Sequence, residues 1–448
     1  MVFHILSPSH PLGKKLGKGS YGQVYTTTIG TEHYAVKVVG TSDCIESVNE
    51  LDIMRRLSHP HLVTCCGLRE GPTLELVLPL ASYSLYDFIT QMNPSRELLL
   101  QLLYQVATGV EFLHRNDILH LDLNYANILV FREDRGWIAK ISDFGLSTRA
   151  RNSFTSYQRL VTSSYRAPES FTCRQGKYLY GKTNDIWSLG MTIIRCFSPR
   201  LKVYRGNVKT LIKKIQGGLA KMVIGDDKLV DLVNKMLQID PSVRPTASQV
   251  VEEMRQIIGL SDPSPLGEVT YPLPVPRGKT LDDYRAIDRI SYACYRQKQG
   301  TDVVFSASDL YHRTTGEWRL RALVCLGLTI RSWGRDIDYS AFKGYFGVTA
   351  CQRDIDRFEL EVIKQSQGII TGTALWERIP PGCEAHYYEC LRNADYYSSL
   401  DLESLPRVDR TIVPSFYTIY PETEYWKYMS YSDDIDEAKL EALYRAEQ

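Results

Sequence analysis

The chain has 448 residues, a formal net charge of +1 and 44% hydrophobic residues. This composition is typical of a folded globular chain and excludes an intrinsically disordered one. The longest apolar stretch, residues 322–330, is too short to span a bilayer, and no basic segment followed by an apolar one opens the chain. We therefore expect no membrane span and no secretory signal. The ten cysteines include no Cys-x-x-Cys pair, which favours reduced thiols in a cytoplasmic or nuclear compartment.

The near-zero net charge conceals two halves of opposite sign. Residues 1–260 contain 31 basic and 23 acidic residues, which leaves 22 basic and 29 acidic residues for 261–448. The sign changes at a segment with five prolines, a composition that favours an extended linker. The predicted divisions are a domain over 1–258, this linker over 259–280, a helical domain over 281–378 and a Tyr-rich acidic tail over 379–448.

In chain order, the first predicted elements are strands. Residues 16–39 contain two β-branched and aromatic runs around a turn at Gly30, and residues 74–80 are typical of a buried strand. Helices are predicted over 44–58 and over 98–116, where apolar residues recur at the helical period. A strand-rich part is thus followed by a helical part.

A glycine-rich segment lies between the first two predicted strands. Gly17, Gly19 and Gly22 have the spacing GxGxxG, which also occurs at the start of dinucleotide-binding folds. Those folds place the motif between a strand and a helix, whereas here it lies between two strands, as a hairpin whose backbone closes over phosphates. Lys37 follows on the next strand. Because an unpaired ammonium in an apolar strand is costly, Lys37 needs an anion, for which Glu50 is the candidate.

Further motifs follow the glycine-rich segment in a fixed order. They are HLD at 120–122 with Asn127, DFG at 143–145, APE at 167–169 and DIWSLG at 185–190. In this order and spacing, the motifs resemble those of the protein kinase family, and the resemblance covers about residues 1–258. It implies an α+β chain with a bilobal protein kinase fold, in which a β-rich N-lobe precedes a helical C-lobe.

The resemblance also implies roles for individual residues in ATP-dependent phosphoryl transfer. The catalytic residues are Asp122, which orients the substrate hydroxyl, and Lys37, which holds the α- and β-phosphates and is itself oriented by Glu50. Asn127 and Asp143 are assigned to Mg²⁺, which prefers oxygen ligands. The residues assigned to the nucleotide, besides Lys37, are Leu16, Gly17, Gly19, Gly22, Val24, Ala35, the gatekeeper Leu78 and Leu80 in the hinge. Glu169 and Arg244 resemble the structural ion pair of the C-lobe.

Two residues depart from the family pattern. Leu121 stands where the family usually has the Arg that binds a phosphorylated activation loop, so we expect activity without phosphorylation of residues 146–166. Arg149, Arg151 and Arg166 remain as substitute partners for a phosphate. Asn124 stands where serine/threonine kinases usually have Lys, and it brings no positive charge to the γ-phosphate. We expect slower chemistry or compensation by another cation.

Other segments indicate which amino acids of the substrate accept the phosphoryl group. Residues 161–169, VTSSYRAPE, resemble serine/threonine kinases of the cyclin-dependent branch, with Thr162 in the usual place. Residues 50–63 resemble the same branch, whose short helix often needs an outside partner to hold its Glu inward. The HLDLN sequence at 120–124 resembles kinases of large DNA viruses.

The second half resembles, in its helical segments over 281–378, a cyclin box. By this resemblance Arg331 and Glu359 lie where cyclins place a Lys and a Glu that contact the kinase. His312 and Arg331 depart from the residues usual there; His312 replaces the Asp that pairs with the first-helix Arg, here Arg285. A generic helical bundle is the alternative interpretation.

The sequence therefore predicts a serine/threonine protein kinase that uses ATP and Mg²⁺ and is activated in cis by its own cyclin-like domain. Its partners are protein substrates and this intramolecular domain, with no membrane and no direct nucleic acid contact. The expected location is cytoplasmic or nuclear, or the host cytoplasm if the protein is viral. Two alternatives stay open: a pseudokinase scaffold, and an active kinase whose second half is a substrate-docking module unrelated to cyclins.

Overall fold

The computed structural model divides the chain into two compact units, Met1–Thr270 and Tyr271–Gln448. The division falls inside the predicted proline-rich linker. The structure describes the following residues: 3–19, 22–39, 44–70, 75–134, 136–149, 153–156, 163–171, 173–174, 177–200, 208–260, 314–332, 337–368 and 370, with scattered positions between 282 and 313. Among them no helix is long and apolar enough to cross a membrane.

A six-stranded sheet forms the first part of the N-terminal unit. Its strands are β1 (His4–Leu6), β2 (Lys15–Gly19), β3 (Gly22–Ile29), β4 (Glu32–Val39), β5 (Gly67–Arg69) and β6 (Glu75–Pro79), in the order β1-β5-β6-β4-β3-β2. The hairpin between β3 and β4 turns at Gly30, whose φ of 62° favours glycine. The strands predicted within 16–39 and 74–80 are confirmed. The pairing of β1 with β5, in parallel, was not predicted.

Helix α1 (Cys44–Arg56) follows this part of the sheet and is buried at Val48, Leu51 and Met54. The Arg55 guanidinium lies 4.2 Å from the centroid of the Phe3 ring and donates to the carbonyl oxygen of Cys65 at 3.1 Å. The segment that precedes β1 thus contacts the helix that carries Glu50.

The second part of the N-terminal unit is mainly helical. Helix α3 (Arg96–Arg115) begins at the Ser95 N-cap and runs beside the small strands that carry the predicted catalytic motifs. The other elements are β7 (Tyr83–Ser84), α2 (Leu85–Asp87) with a π turn over Phe88–Met92, β8 (Ile118–Leu119), β9 (Ile128–Glu133), β10 (Gly136–Ile141), α4 (Lys182–Phe197), α5 (Val208–Gln216), α6 (Leu219–Ile224), α7 (Asp227–Met236) and α8 (Ala247–Ile258). The predicted bilobal kinase fold is confirmed.

The segment between Asp143 and α4 forms further strands. They are β11 (Thr148–Arg149), β12 (Ser153–Ser156), β13 (Cys173–Arg174) and β14 (Lys177–Gly181), of which the last three form a sheet in the order β12-β14-β13. Strand β11 pairs with β8, next to the catalytic motif. Thr162 and Arg151 lie outside the described residues.

The C-terminal unit is helical where the structure describes it. Its elements are α9 (Trp318–Ser332), α10 (Tyr339–Phe346) and α11 (Gln352–Gln365). Helix α9 is buried at every position from 322 to 332, which is the environment of a central helix surrounded by others. The helical prediction for this unit is confirmed for the described residues, whereas its likeness to a cyclin box stays a prediction. His312 lies outside the described residues.

Arg331 and Glu359, which the cyclin resemblance singled out, form an ion pair with each other. Their closest atoms, Nη1 and Oε1, are 2.6 Å apart, and both residues are buried. The hydroxyl of Tyr339 also donates to the carboxylate of Glu359. Burial raises the pKa of Glu359, and Arg331 and Tyr339 oppose that rise. Gly327 leaves room for the Tyr339 ring, since a Cβ there would lie 2.0 Å from its hydroxyl oxygen.

Two histidines lie where α1 joins the following strand. The ring of His59 stacks on Phe112 with centroids 4.7 Å apart, and Nδ1 of His61 donates to the carbonyl oxygen of Ala139 at 3.1 Å. Burial lowers the pKa of His59 to about 4 and that of His61 to about 4. Both imidazoles are therefore neutral in the folded protein at neutral pH.

The lowered pKa of these histidines predicts that the folded protein loses stability in mild acid. As the pH falls from 6.5 towards 4, the unfolded chain takes up protons on His59 and His61 before the folded protein does. The free energy of unfolding should therefore fall over this interval and be insensitive to these groups above it. Urea titrations at several pH values should show a shallower decline in His59→Phe, which retains an aromatic ring against Phe112. A decline as steep as that of the parent protein would contradict the assignment.

Candidate active site

Lys37 lies at the centre of the candidate site. Its Nζ donates to both carboxylate oxygens of Glu50, at 2.8 and 2.7 Å, and to Oδ1 of Asp143 at 2.8 Å. Strand β4 supplies the lysine, helix α1 supplies Glu50, and Asp143 follows strand β10. The predicted partner of Lys37 is thus brought to it, and Asp143 joins them.

The electrostatics of this cluster depend on burial. Burial alone would lower the pKa of Lys37, but the carboxylates of Glu50 and Asp143 outweigh it and raise the pKa above its ordinary value. Burial raises the pKa of Glu50, and the ammonium of Lys37 opposes that rise. The lysine is therefore held protonated at a position where it can neutralise a phosphate.

Most residues predicted to contact a nucleotide lie on the same sheet as the lysine, and Leu80 directly follows β6. Gly17 and Gly19 are on β2 and Gly22 begins β3, so the glycine-rich segment is a hairpin whose two strands pair at Gly19 and Gly22. Val24 pairs with Lys37, and Ala35 pairs with Leu78 on β6. Leu16 is exposed, whereas Leu78 and Leu80 are partly buried. Their predicted role in binding the nucleotide stays a prediction.

Asp122 and Asn127 are bound to each other in the loop that follows β8. The amide Nδ2 of Asn127 donates to Oδ2 of Asp122 at 2.8 Å and to its carbonyl oxygen at 2.9 Å. Because these bonds use the nitrogen, the amide oxygen is the atom of Asn127 suited to a metal. The predicted base and one predicted metal ligand are therefore neighbours.

Asn124 holds this loop together. Its Nδ2 donates to the carbonyl oxygen of Asp122 at 2.9 Å, and its Oδ1 accepts from the backbone amides of Ala126 at 2.9 Å and Asn127 at 3.3 Å. The residue is buried. Its amide is thus engaged with the loop backbone, which explains what this asparagine does in place of the usual Lys.

Asp185, near the start of α4, bonds the backbone of the loop that carries Asp122. Its carboxylate accepts from the backbone amides of His120 at 2.8 Å and Leu121 at 2.9 Å, and it also bonds Nε2 of His114 at 2.9 Å. Burial by itself would raise the pKa of Asp185, but these bonds lower it below its ordinary value. The carboxylate fixes the backbone that presents Asp122.

Asp143 and Leu121 have left-handed backbones, with φ values of 62° and 63°. This conformation costs roughly 1–2 kcal/mol per non-glycine residue and is concentrated at functional sites. Ser142, which precedes Asp143, donates to the carbonyl oxygen of Asn127 through its amide at 2.8 Å and its hydroxyl at 2.9 Å. The loops that carry the two predicted metal ligands are therefore tied together.

The donor set fits Mg²⁺ in the presence of phosphate. A carboxylate on Asp143 and an amide oxygen on Asn127 are hard oxygen ligands, and Mg²⁺ characteristically takes one or two protein ligands and completes its shell with water and phosphate oxygens. No cluster of three or more His, Cys, Asp or Glu side chains suited to a metal occurs among the described residues, so no complete protein cage competes with this assignment there.

Leu121 lies in an apolar cluster. It is buried with Leu119 and Tyr180, and Leu146 and Tyr178 pack against them. An apolar cluster cannot bind a phosphate, and the expected activity without phosphorylation of residues 146–166 stays a prediction. Arg166, one of the proposed substitute partners, is buried and lies 5.3 Å from the centroid of the Phe171 ring.

The predicted ion pair of the C-lobe is present. Nη1 and Nη2 of Arg244 donate to the two oxygens of Glu169 at 2.7 and 2.8 Å. The Arg244 guanidinium also lies 4.9 Å from the centroid of the Trp187 ring. This pair anchors the APE motif to the helical lobe.

Sequence reasoning missed three features: the Asp143 contact with Lys37, the support from Asp185, and the loop bonds of Asn124. The last had a local signal, because Asn side chains commonly bond backbone amides two and three residues on. The other two link positions far apart in the chain, and no local pattern specifies them.

With the geometry in place, comparison with known proteins identifies the family. The family model described as the protein kinase domain matches residues 11–254, which is more than half of the chain. The chain therefore belongs to the protein kinase family. Its relatives include several serine/threonine kinases, and the prediction of a protein serine/threonine kinase is confirmed at this level of enzyme class.

Three relatives show the range of similarity. A protein from Encephalitozoon cuniculi named "Probable CTD kinase subunit alpha homolog" is 28% identical over 275 residues, covering 53% of this chain and 80% of that protein. The Arabidopsis thaliana "SNF1-related protein kinase catalytic subunit alpha KIN12" is 29% identical, covering 63% and 56%. The Oryza sativa "Serine/threonine protein kinase OSK3" is 28% identical, covering 54% and 49%. The chain thus spans about half the length of the two plant relatives.

The bonds of Asn124 predict that Asn124→Ala loosens the catalytic loop. Removing this side chain leaves the amides of Ala126 and Asn127 without their acceptor, which should cost about 1–3 kcal/mol of stability. Turnover should fall at least about tenfold, because Asp122 and Asn127 lose their positioning. Steady-state kinase assays and urea titrations measure the two effects. As a control, Asn116→Ala removes an exposed side chain that bonds the carbonyl oxygen of Phe112. Equal turnover in Asn124→Ala and the control would contradict the role.

Proposed function

We propose that this chain is a catalytically active kinase that transfers the γ-phosphoryl group of ATP to Ser or Thr hydroxyls of protein substrates. The observation that carries the proposal is the cluster in which Lys37 binds both Glu50 and Asp143. This arrangement places a fixed positive charge beside a carboxylate suited to a metal, which is the pair of features that phosphoryl transfer requires.

Each residue of the site has its own role in the proposed reaction. Lys37 binds phosphate oxygens and neutralises their charge, and Glu50 keeps its ammonium in place. Asp122 accepts a hydrogen bond from the substrate hydroxyl and orients its oxygen towards the phosphorus. When bound, Mg²⁺ supplies charge neutralisation for the phosphates, and Asn127 and Asp143 would hold it.

We further propose that the C-terminal unit is a cyclin-like activator carried in cis. The buried central helix α9 supports this proposal, whereas Arg331 and Glu359 are buried and bonded to each other. The relative from Encephalitozoon cuniculi is named as a subunit, and a kinase that carries a second unit on the same chain gains an effective local concentration of about a millimolar for docking. Location in the cytoplasm or nucleus, or in the host cytoplasm for a viral protein, belongs to the same proposal.

The pseudokinase alternative is disfavoured by the site geometry. A scaffold that binds partners without transferring phosphate does not need Asp122, Asn127 and Asp143 tied together, nor the strained backbone of Asp143. Leu121 and Asn124 depart from the family pattern, but both side chains have their own packing or loop partners. The second alternative, a substrate-docking module unrelated to cyclins, differs in its effect on the basal activity.

These proposals predict different outcomes for two proteins compared side by side. The full chain and the compact unit 1–270 are assayed with labelled ATP, Mg²⁺ and a short generic peptide substrate, after their thermal transitions show that both are folded. Activation in cis predicts that the full chain turns over at least about tenfold faster than residues 1–270. A docking module predicts equal activity on a short peptide, and equal activity would therefore contradict activation in cis.

The matched control is Asp143→Ala in the full chain. It removes one metal-suited carboxylate and one of the two carboxylates on Lys37, so phosphate incorporation should fall by at least about a hundredfold. Phosphoamino acid analysis of the product should give phosphoserine or phosphothreonine. Absence of any incorporation by the unaltered chain, with Mg²⁺ and a range of substrates, would favour the scaffold.

A further inference from the structure

Helix α1 is fastened at two neighbouring residues to two different parts of the molecule. Glu50 bonds Lys37, and Asn49, which precedes it, is 1% exposed and donates from Nδ2 to the carbonyl oxygen of Ser147 at 2.5 Å. Adjacent residues of a helix point about 100° apart. Two such fastenings therefore fix both the position of the helix and its rotation about its own axis.

Ser147 connects this bond to the rest of the site. Its amide donates to the carbonyl oxygen of Phe144 at 2.9 Å, and its hydroxyl donates to the carbonyl oxygen of His120 at 3.2 Å. Phe144 directly follows Asp143, and His120 opens the loop that carries Asp122. One short segment thus joins helix α1, the Asp143 motif and the catalytic loop.

We propose that Asn49 is a positioning residue, whose amide holds helix α1 against the Asp143 segment so that Glu50 and Asp143 engage Lys37 together. The inference rests on the proposed kinase function and specifies what fixes its active arrangement. The bond joins an uncharged amide to a backbone carbonyl, so it forms without a phosphate or any other ion.

The amide oxygen of this side chain supports a specific need for the donor. Oδ1 of Asn49 is buried and has no hydrogen-bond partner among the described residues, which costs about 1–3 kcal/mol. Alanine is also the better helix former. Helix propensity and the unpaired oxygen would by themselves favour Ala at this position, and what Asn adds is the donor to Ser147.

The test compares Asn49→Ala with Val48→Ala in the full chain, treated with phosphatase. Val48 is the preceding residue and 1% exposed, and its truncation removes apolar packing without touching the bond. Asn49→Ala should lower kcat at least about tenfold, because the helix leaves its active position for part of the time. Its thermal transition should shift less than that of Val48→Ala, which should retain kcat within about twofold.

Hydrogen–deuterium exchange provides a readout that does not depend on turnover. The amides of residues 144–149 should exchange faster in Asn49→Ala than in the parent protein, and at the parent rate in Val48→Ala. The proposal is overturned if Asn49→Ala keeps kcat within about twofold and leaves this exchange unchanged, or if kcat in the two variants falls in proportion to lost stability. An inactive parent protein would instead refute the proposed function, and the exchange comparison would still decide whether the bond holds the segment.

Discussion

The buried ammonium of Lys37 is the constraint on which the rest of the site depends. An ammonium inside a protein is stable only when counter-charges and hydrogen bonds surround it, and removing one partner of a buried pair typically costs several kcal/mol. Here the two carboxylates come from different places, Glu50 from helix α1 and Asp143 from the segment after β10. Because both carboxylates contact the lysine, helix α1, strand β4 and the segment after β10 meet at one point. A phosphate that binds there meets a cation whose position is already fixed, and this positioning is what phosphoryl transfer needs.

Neutral contacts hold several parts of the site, and two of them, at Leu121 and Asn124, lie where the family more often has charge. Leu121 packs in an apolar cluster with Leu119 and Tyr180, and Asn124 bonds the backbone of its own loop. Asn49 joins helix α1 to Ser147 through an amide and a carbonyl. None of these contacts requires a phosphate, and none is weakened by salt as an exposed ion pair would be. Taken together, they show packing and uncharged hydrogen bonds holding the loops and helix α1 around the charged cluster of Lys37.

Much of this fold and site could be predicted from the sequence, for identifiable reasons. The motifs that carry Lys37, Asp122 and Asp143 have short, characteristic spacings, and the strands around Gly30 follow from β-branched residues with a glycine at the turn. What could not be predicted are contacts between distant positions. The pairing of β1 with β5, the bond from Asn49 to Ser147 and the support of the loop by Asp185 depend on tertiary geometry. In the second half, apolar periodicity specifies helices such as α9 but does not specify the partner that their surfaces fit.

The most direct test of the central claim is the kinase turnover of Glu50→Gln. This substitution keeps the shape of the side chain but removes one of the two carboxylate charges that contact Lys37. The matched control is Glu75→Gln, since Glu75 is also buried and pairs with Arg69 on the same sheet at 2.5 Å. If Lys37 organises the site, kcat/KM for ATP should fall at least about a hundredfold in Glu50→Gln and stay within about threefold in the control. Equal values for the two variants, with both proteins folded, would contradict the account.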